Sequence, residues 1–86
     1  MTAAAVFSAI GDARRRRILE LLAEHERSVG ELTTLLGIAQ PSVTQHLAVL
    51  REAGLVSVEK RGTSSIYSLE REALAEVTAW VEGLRQ

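Results

Sequence analysis

One proline and the apolar spacing behind it constrain the fold of this 86-residue chain more than any other feature. Pro41 is the single proline of the sequence. Because proline is tolerated in a helix only in its first turn, we expect a helix to begin at about Gln40. Aliphatic side chains then recur at helical spacing, which predicts a buried stripe formed by Val43, Leu47 and Leu50. Gly54 is expected to end this helix.

A second, shorter helix is predicted directly before it. Ser28 and Glu31 have the spacing of a capping box, and Gly37 stands where helices commonly end in glycine. The buried face of this helix is predicted to consist of Leu32, Leu35 and Leu36. Two helices joined by a few residues, the second opening with polar side chains, predict a helix-turn-helix over residues 28–53.

The remaining sequence predicts a further helix and a small β-hairpin. Asp12 is a good N-cap for a helix that runs to about Glu24. Residues 55–60 and 65–69 alternate apolar and polar side chains, and the residues between them, 61–64, suit a four-residue loop. We therefore predict a mainly α single domain over residues 1–86. Its fold is a winged helix-turn-helix with about five helices and a two-stranded wing at residues 55–69.

The two ends of the chain are predicted to form apolar helices, over residues 3–11 and 71–84. Hydrophobic residues make up 47% of the sequence, yet a domain of this size without cysteine has no disulfide to support a small core. Because nothing else in one subunit can cover both helices, we expect them to pack across a two-fold axis in a homodimer. The predicted dimer contacts are Val6, Phe7, Ile10, Leu74, Val77, Trp80, Val81 and Leu84.

Uncharged polar side chains are predicted to point outward from the helix that begins near Gln40. With its aliphatic stripe turned inward, the exposed tip carries Gln40, Ser42, Thr44 and Gln45. A glutamine amide can read adenine, and hydroxyl groups can bond to base edges or phosphates. The competing interpretation is a plain solvent-exposed face, which more often carries Glu and Lys four residues apart. His46 flanks the stripe and is a candidate for a bond to backbone or phosphate.

Positive charge is concentrated in two short stretches. The predicted hairpin tip carries Lys60, Arg61 and Thr63, which suit a DNA phosphate but also an ordinary solubilising loop. The run Arg14–Arg17 points in four directions on a helix, so it cannot form one stripe. One or two of these arginines are candidates for phosphate contact, and we expect the others to pair with acids such as Asp12, Glu20 or Glu24.

Several function classes are disfavoured. Two isolated histidines and no cysteine do not supply the ligands of a usual metal site, and no nucleophile with an adjacent base is visible. We expect no enzyme activity, no cofactor and no bound metal. The apolar stretch Ala3–Ile10 is too short to span a membrane and lacks the basic flank of a signal peptide, which favours a cytoplasmic protein.

Three stretches, residues 12–22, 28–32 and 40–56, resemble the ArsR/SmtB winged-helix repressors, and residues 60–69 are similar to their wing. The resemblance implies a homodimeric transcriptional repressor whose partner is double-stranded operator DNA and whose first and last helices form the dimer. It also implies major-groove contacts at the positions of Gln40, Ser42, Thr44 and Gln45. Arg61 and Thr63 are then expected along the DNA backbone or minor groove.

Two departures from the family pattern matter. Metal-sensing members carry two cysteines in the third helix, where this chain has Ser28 and Gly30, and others use ligands on the last helix, where this chain has no histidine. The resemblance is therefore to the non-metal-sensing branch. Ala39 replaces the usual serine N-cap, which is expected to cost about 1 kcal/mol unless Gln40 or Ser42 substitutes.

Two other functions remain open from the sequence. The formal net charge of −1 and an acidic C-terminal third are compatible with a winged-helix protein-interaction module that does not bind DNA. A repressor released by a small molecule in the dimer interface is the third possibility.

Overall fold

The computed structural model describes residues 3–86, so Met1 and Thr2 of the predicted domain lie outside the described residues. The chain begins with α1 (Ala3–Ile10) and α2 (Ala13–Glu24), followed by the short strand β1 (Arg27–Ser28). The helix-turn-helix consists of α3 (Val29–Leu36) and α4 (Gln40–Glu52). The wing strands are β2 (Val56–Arg61) and β3 (Ser64–Leu69), and a 3₁₀ turn (Arg71–Leu74) leads into α5 (Ala75–Arg85).

The predicted helix ends are confirmed at α2 and α3. The Asp12 carboxylate accepts the backbone N–H groups of Arg14 at 2.8 Å and Arg15 at 3.1 Å. Ser28 and Glu31 form the reciprocal capping box, with bonds of 3.1 and 2.9 Å. These bonds satisfy donors that a helix N-terminus otherwise leaves unpaired, which is why both helices begin where the sequence indicates.

The core lies where α2, α3, α4 and the start of the wing meet. Its fully buried large side chains are Ile18, Leu32, Val43, Leu47, Leu50 and Leu55. The prediction that Leu35 is buried is wrong, since 51% of it is exposed. Val29, Leu32 and Leu36 point toward the core from one side of α3, and Leu35 lies about 90° round the helix from the middle of that side.

The wing differs from its prediction in two ways. Its sheet has three antiparallel strands in the order β1-β3-β2, not two, because Arg27 pairs with Tyr67 and Ser28 with Ile66. Arg61 pairs directly with Ser64, so the loop is the two residues Gly62 and Thr63 and not the expected four. Gly62 has φ of 61°, the left-handed value that a two-residue hairpin turn with glycine first requires.

Candidate nucleic-acid interface

The outer face of α4 presents the side chains that the sequence assigns to base reading. Val43, Leu47 and Leu50 are completely buried, which fixes the rotation of the helix about its axis. Gln40, Thr44 and Gln45 are consequently exposed and Ser42 is half-buried. The four predicted positions therefore lie at one end of one helix, with no charged residue among them.

The start of α4 has no side-chain cap, and neither Gln40 nor Ser42 substitutes for one. The backbone explains how this is tolerated. Pro41 has no N–H to satisfy. The N–H groups of Ser42 and Val43 both bond to the Ala39 carbonyl oxygen, at 3.0 and 3.3 Å. The Gln40 and Ser42 side chains thus keep their polar groups out of the cap.

A groove runs between α4 and the wing. It has a volume of about 530 Å³ and is lined by Thr44, Ala48, Arg51, Glu52 and Tyr67. Thr44, Ala48 and Arg51 follow one another at spacings of four and three residues, so they lie on one line of the helix. Arg51 was not among the residues predicted from the sequence. Its spacing of three residues from the outward-facing Ala48 could have indicated that it lines the same side of the helix.

A second, more polar cavity brings the helix tip and the wing tip together. Gln40 and Thr63, which are 23 positions apart in the sequence, both line this space of about 320 Å³. Hydroxyl groups of Ser28, Ser64 and Ser65 surround it as well. Predicted reading and wing residues are therefore neighbours here, although no local pattern connects them.

Arg61 is held by two carboxylates of its own chain. Its two terminal nitrogens donate to both Glu26 carboxylate oxygens, and Nη2 also lies 2.9 Å from Glu59 Oε2. These bonds raise the pKa of Arg61, with Glu26 as the larger cause, and the same guanidinium lowers the pKa of Glu26. Lys60 and Thr63 are exposed beside it.

His46 lies one helical turn beyond Ser42 on α4, on a different side of the helix from Gln40 and Thr44. It is half-buried, and its Nδ1 is 3.5 Å from Arg15 Nη1 on α2. The same guanidinium donates to the carbonyl oxygens of Ala9 at 2.6 Å and Ser8 at 3.3 Å. The imidazole therefore sits next to the junction of α1 and α2.

The side chains of the arginine run make more hydrogen bonds to backbone carbonyl oxygens of α1 than to the acidic side chains proposed from the sequence. Arg16 donates to the Ile10 carbonyl oxygen at 2.7 Å, so Arg15 and Arg16 together satisfy the C-terminal carbonyls of α1. The expected pairing of the run with Glu24 is not made, because Glu24 accepts from Arg27 at 2.6 Å. Asp12 caps α2 through backbone N–H groups.

Of the predicted acid partners, only Glu20 is confirmed. Arg17 donates to its carboxylate at 3.2 Å.

The terminal helices meet through an aromatic contact and leave an apolar surface outside. The rings of Phe7 and Trp80 are 5.3 Å apart at 74°, an edge-to-face arrangement. Five of the eight predicted dimer residues are buried or partly buried within the subunit: Val6, Phe7, Ile10, Leu74 and Val77. The other three are exposed, Trp80 by 56%, Val81 by 39% and Leu84 by 66%.

Two further observations concern residues 3–86 only. No three histidine, cysteine, aspartate or glutamate side chains of this stretch lie close enough together to hold one metal ion. Its helices are all too short or too polar to cross a lipid bilayer.

Comparison with known proteins assigns the chain to a family. The sequence profile of the bacterial regulatory proteins of the arsR family matches residues 12–58. The chain is 44% identical over 72 residues to the HTH-type transcriptional regulator KmtR of Mycobacterium tuberculosis, a match that covers 84% of this chain and 55% of KmtR. It is 34% identical over 76 residues to the transcriptional repressor SdpR of Bacillus subtilis, covering 88% of this chain and 84% of SdpR.

A solved structure agrees with the sequence matches. It is the solution structure of the homodimeric winged helix-turn-helix DNA-binding domain of a possible ArsR-family regulator from Mycobacterium bovis. The two share a TM-score of 0.79 and 33% sequence identity, over 95% of this chain and 76% of that one. Profile, relatives and fold agree with the resemblance read from the sequence, and the chain belongs to the arsR family of bacterial regulatory proteins.

Proposed function

We propose that this chain is a sequence-specific transcriptional regulator, a repressor, that binds double-stranded operator DNA as a homodimer. One observation carries the proposal. The stripe of α4 is completely buried, so the helix turns an uncharged amide-and-hydroxyl face outward beside the wing. This is the arrangement by which a recognition helix enters the major groove while the wing lies on the backbone.

The contacts divide by chemistry. Gln40, Thr44 and Gln45 are placed to bond to base edges, because amide and hydroxyl groups match the donor and acceptor pattern of the major groove. Ser42, half-buried at the tip, suits a phosphate or a base edge. Phosphate contacts come from exposed groups around this face: Arg51, Lys60, Arg61 and Thr63. His46, on the flank of α4 next to Arg15, is proposed to add a further phosphate contact.

The dimer is proposed on the exposed apolar surface of α5. Trp80, Val81 and Leu84 lie on the outside of the subunit next to α1, and the Mycobacterium bovis domain is a homodimer. Two-fold packing of these helices would place the two copies of α4 in successive major grooves, about 34–36 Å apart. A DNA-binding regulator acts where the chromosome is, so we infer a cytoplasmic location.

We assign the chain to the non-metal-sensing part of its family, with no enzyme activity. Ser28, at one of the positions where metal sensors carry cysteine, is engaged in the capping box of α3. Gly30, at the other, has no side chain to offer a metal. Elemental analysis of the purified protein tests this assignment.

The reading face is tested by Thr44→Ala and Gln45→Ala. Each variant, and Thr34→Ala as a matched control on an exposed face of α3, is used to select bound sites from a random DNA pool. We expect Thr44→Ala and Gln45→Ala each to relax base preference at one position by about 1–3 kcal/mol, with Thr34→Ala unchanged.

Two results would contradict the proposal at different levels. Unchanged base preference in both α4 variants would show that the reading face is assigned wrongly. Failure of the unmodified protein to retain any random genomic fragment at low salt would favour the protein-interaction module.

A further inference from the structure

The wing carries a charge arrangement that base reading does not require. Lys60 and Arg61 supply two positive charges, and Glu59 with Glu26, from the loop before β1, supplies two negative ones. Both carboxylates bond to the same guanidinium, that of Arg61. Ser68 Oγ lies 3.5 Å from Glu26 Oε2 and adds a weak bond to the same group. The wing cluster Glu26–Glu59–Arg61 is therefore a closed set of ionic bonds at the site proposed for DNA backbone contact.

We propose that Glu26 and Glu59 compete with DNA phosphate for Arg61 and thereby limit the sequence-independent affinity of the protein for DNA. The inference rests on the proposed function. In this role the two glutamates are positioning residues, since they act on DNA through Arg61 and not by touching it.

The geometry of the pairing supports competition. Arginine binds carboxylate and phosphate through the same planar fork of donors, so one partner can replace the other without moving the guanidinium far. Glu26 occupies both terminal nitrogens of Arg61, which is the two-point contact that a phosphate would otherwise make. Three of the five N–H donors of Arg61 are engaged by the two carboxylates, so a two-point phosphate contact through the terminal nitrogens requires at least one carboxylate bond to break.

The exposure of the cluster makes that exchange accessible. The side chains of Arg61, Glu26 and Glu59 are 48%, 43% and 66% exposed, so none has to leave a buried environment to change partner. Exposed ion pairs are weakened by salt and contribute little to stability. The cluster is thus suited to tuning a surface interaction, whereas the buried aliphatic stripe of α4 holds the fold.

The consequence is selectivity. Binding to phosphates is largely independent of sequence, and each phosphate neutralised by a basic side chain adds to affinity for any DNA. Because Arg61 is shared with two carboxylates, the wing adds less to affinity for random DNA than its two cations suggest. Base contacts from α4 are unaffected, so discrimination between operator and random DNA increases.

The experiment measures DNA affinity as a function of salt by fluorescence anisotropy. The probes are a duplex selected from a random pool by the unmodified protein and a scrambled duplex of equal length. Glu26→Gln, Glu59→Gln and the double variant are compared with Glu82→Gln. Glu82 is an exposed partner of Arg85 on α5, so this control makes the same charge change as each single variant, but outside the wing.

We expect the double variant to bind both duplexes more tightly, with the larger relative gain on scrambled DNA. The slope of log K against log salt should steepen by about 0.9 for each Arg61 released, or about 1.8 for a dimer. The single variants should fall between, and Glu82→Gln should match the unmodified protein.

Arg61→Gln separates competition from simple repulsion between carboxylate and phosphate. Under competition, Arg61→Gln has a small effect in the unmodified protein and a large one in the double glutamate variant. If the affinity gain of the glutamate variants persists in full after Arg61→Gln, the carboxylates act by repulsion and the inference is overturned.

Unchanged affinity and slope in the glutamate variants would also overturn it. Failure of the unmodified protein to bind DNA at all would instead overturn the proposed function. Circular dichroism melting of every variant confirms that the fold is retained.

Discussion

The middle of the chain, from α2 to the first wing strand, and its last helix differ in where their apolar side chains go. In the middle, six large aliphatic side chains are completely buried within one subunit. In α5 no residue is buried, and Trp80 and Leu84 are exposed by 56% and 66%. The helix-turn-helix thus has a core of its own, whereas α5 has an apolar side that one subunit does not cover.

The starts of the helices also differ between the two regions, in whether a side chain caps them. Asp12 and Ser28 cap α2 and α3 with side-chain hydrogen bonds, and Gly37 ends α3 in the left-handed conformation. By contrast, α5 continues from a 3₁₀ turn and has no side-chain cap at its start. Local hydrogen bonding therefore defines the starts of α2 and α3 independently of their packing. The start of α4 also lacks a side-chain cap, but its stripe is completely buried, whereas α5 depends more on its contact with α1 and on the proposed partner.

The largest expected effect is on the free energy of unfolding, and it comes from truncating a side chain in the buried stripe of α4. Leu47→Ala removes a completely buried side chain and should lower the free energy of unfolding by about 2–5 kcal/mol. Leu84→Ala makes the same chemical change on the exposed side of α5 and should leave the stability of the dilute protein nearly unchanged. Urea unfolding followed by circular dichroism measures both. Equal losses for the two variants would remove the distinction between the middle and the end of the chain.

A smaller effect is expected from the aromatic residue of α5. Trp80→Ala should weaken the homodimer by about 2 kcal/mol, or roughly thirtyfold in dissociation constant, because aromatic residues dominate apolar interfaces. Sedimentation equilibrium over a range of concentrations measures the change. Thr78→Ala, about 200° round the same helix, is the control and should leave association unchanged. A monomeric unmodified protein would show that α5 has another partner or none.

The smallest effect concerns the caps of the middle helices. The pKa of Glu31 is lowered chiefly by the backbone N–H of Ser28, and that of Asp12 chiefly by the backbone N–H of Arg15. A lowered pKa means that ionised Glu31 stabilises the folded state at neutral pH and that this contribution is lost as the pH falls below its ordinary value of 4.5.

Glu31→Gln keeps an oxygen acceptor for Ser28 but does not titrate. Its urea midpoint should therefore be lower than that of the unmodified protein at pH 7 and should fall less between pH 7 and pH 3. An identical pH dependence in both proteins would show that the capping carboxylate does not contribute.

Sequence patterns predicted the features that depend on near neighbours. The capping box at Ser28, the buried stripe of α4 and the left-handed glycine at position 37 each follow from residues within one or two helical turns. The pairing of β1 with β3 joins segments 38 or more positions apart, and two residues are too few to show an alternating pattern.

The candidate site was predictable to the same extent. The outward side chains of α4 follow from its stripe, whereas the neighbouring positions of Gln40 and Thr63 arise only from tertiary packing. The carbonyl partners of Arg15 and Arg16 and the Glu26 partner of Arg61 likewise come from other elements or loops, which a charge run alone does not identify.

Ser28 belongs to two structures at once, since its side chain caps α3 while its backbone pairs with Ile66 in β3. A tilt of the hairpin would therefore also move the first turn of α3. The helix-turn-helix and the wing are coupled through this one residue. Each half of the proposed dimer would meet DNA as one rigid block. Binding to operators of different half-site spacing or curvature would then require a rotation of one subunit relative to the other at the terminal helices.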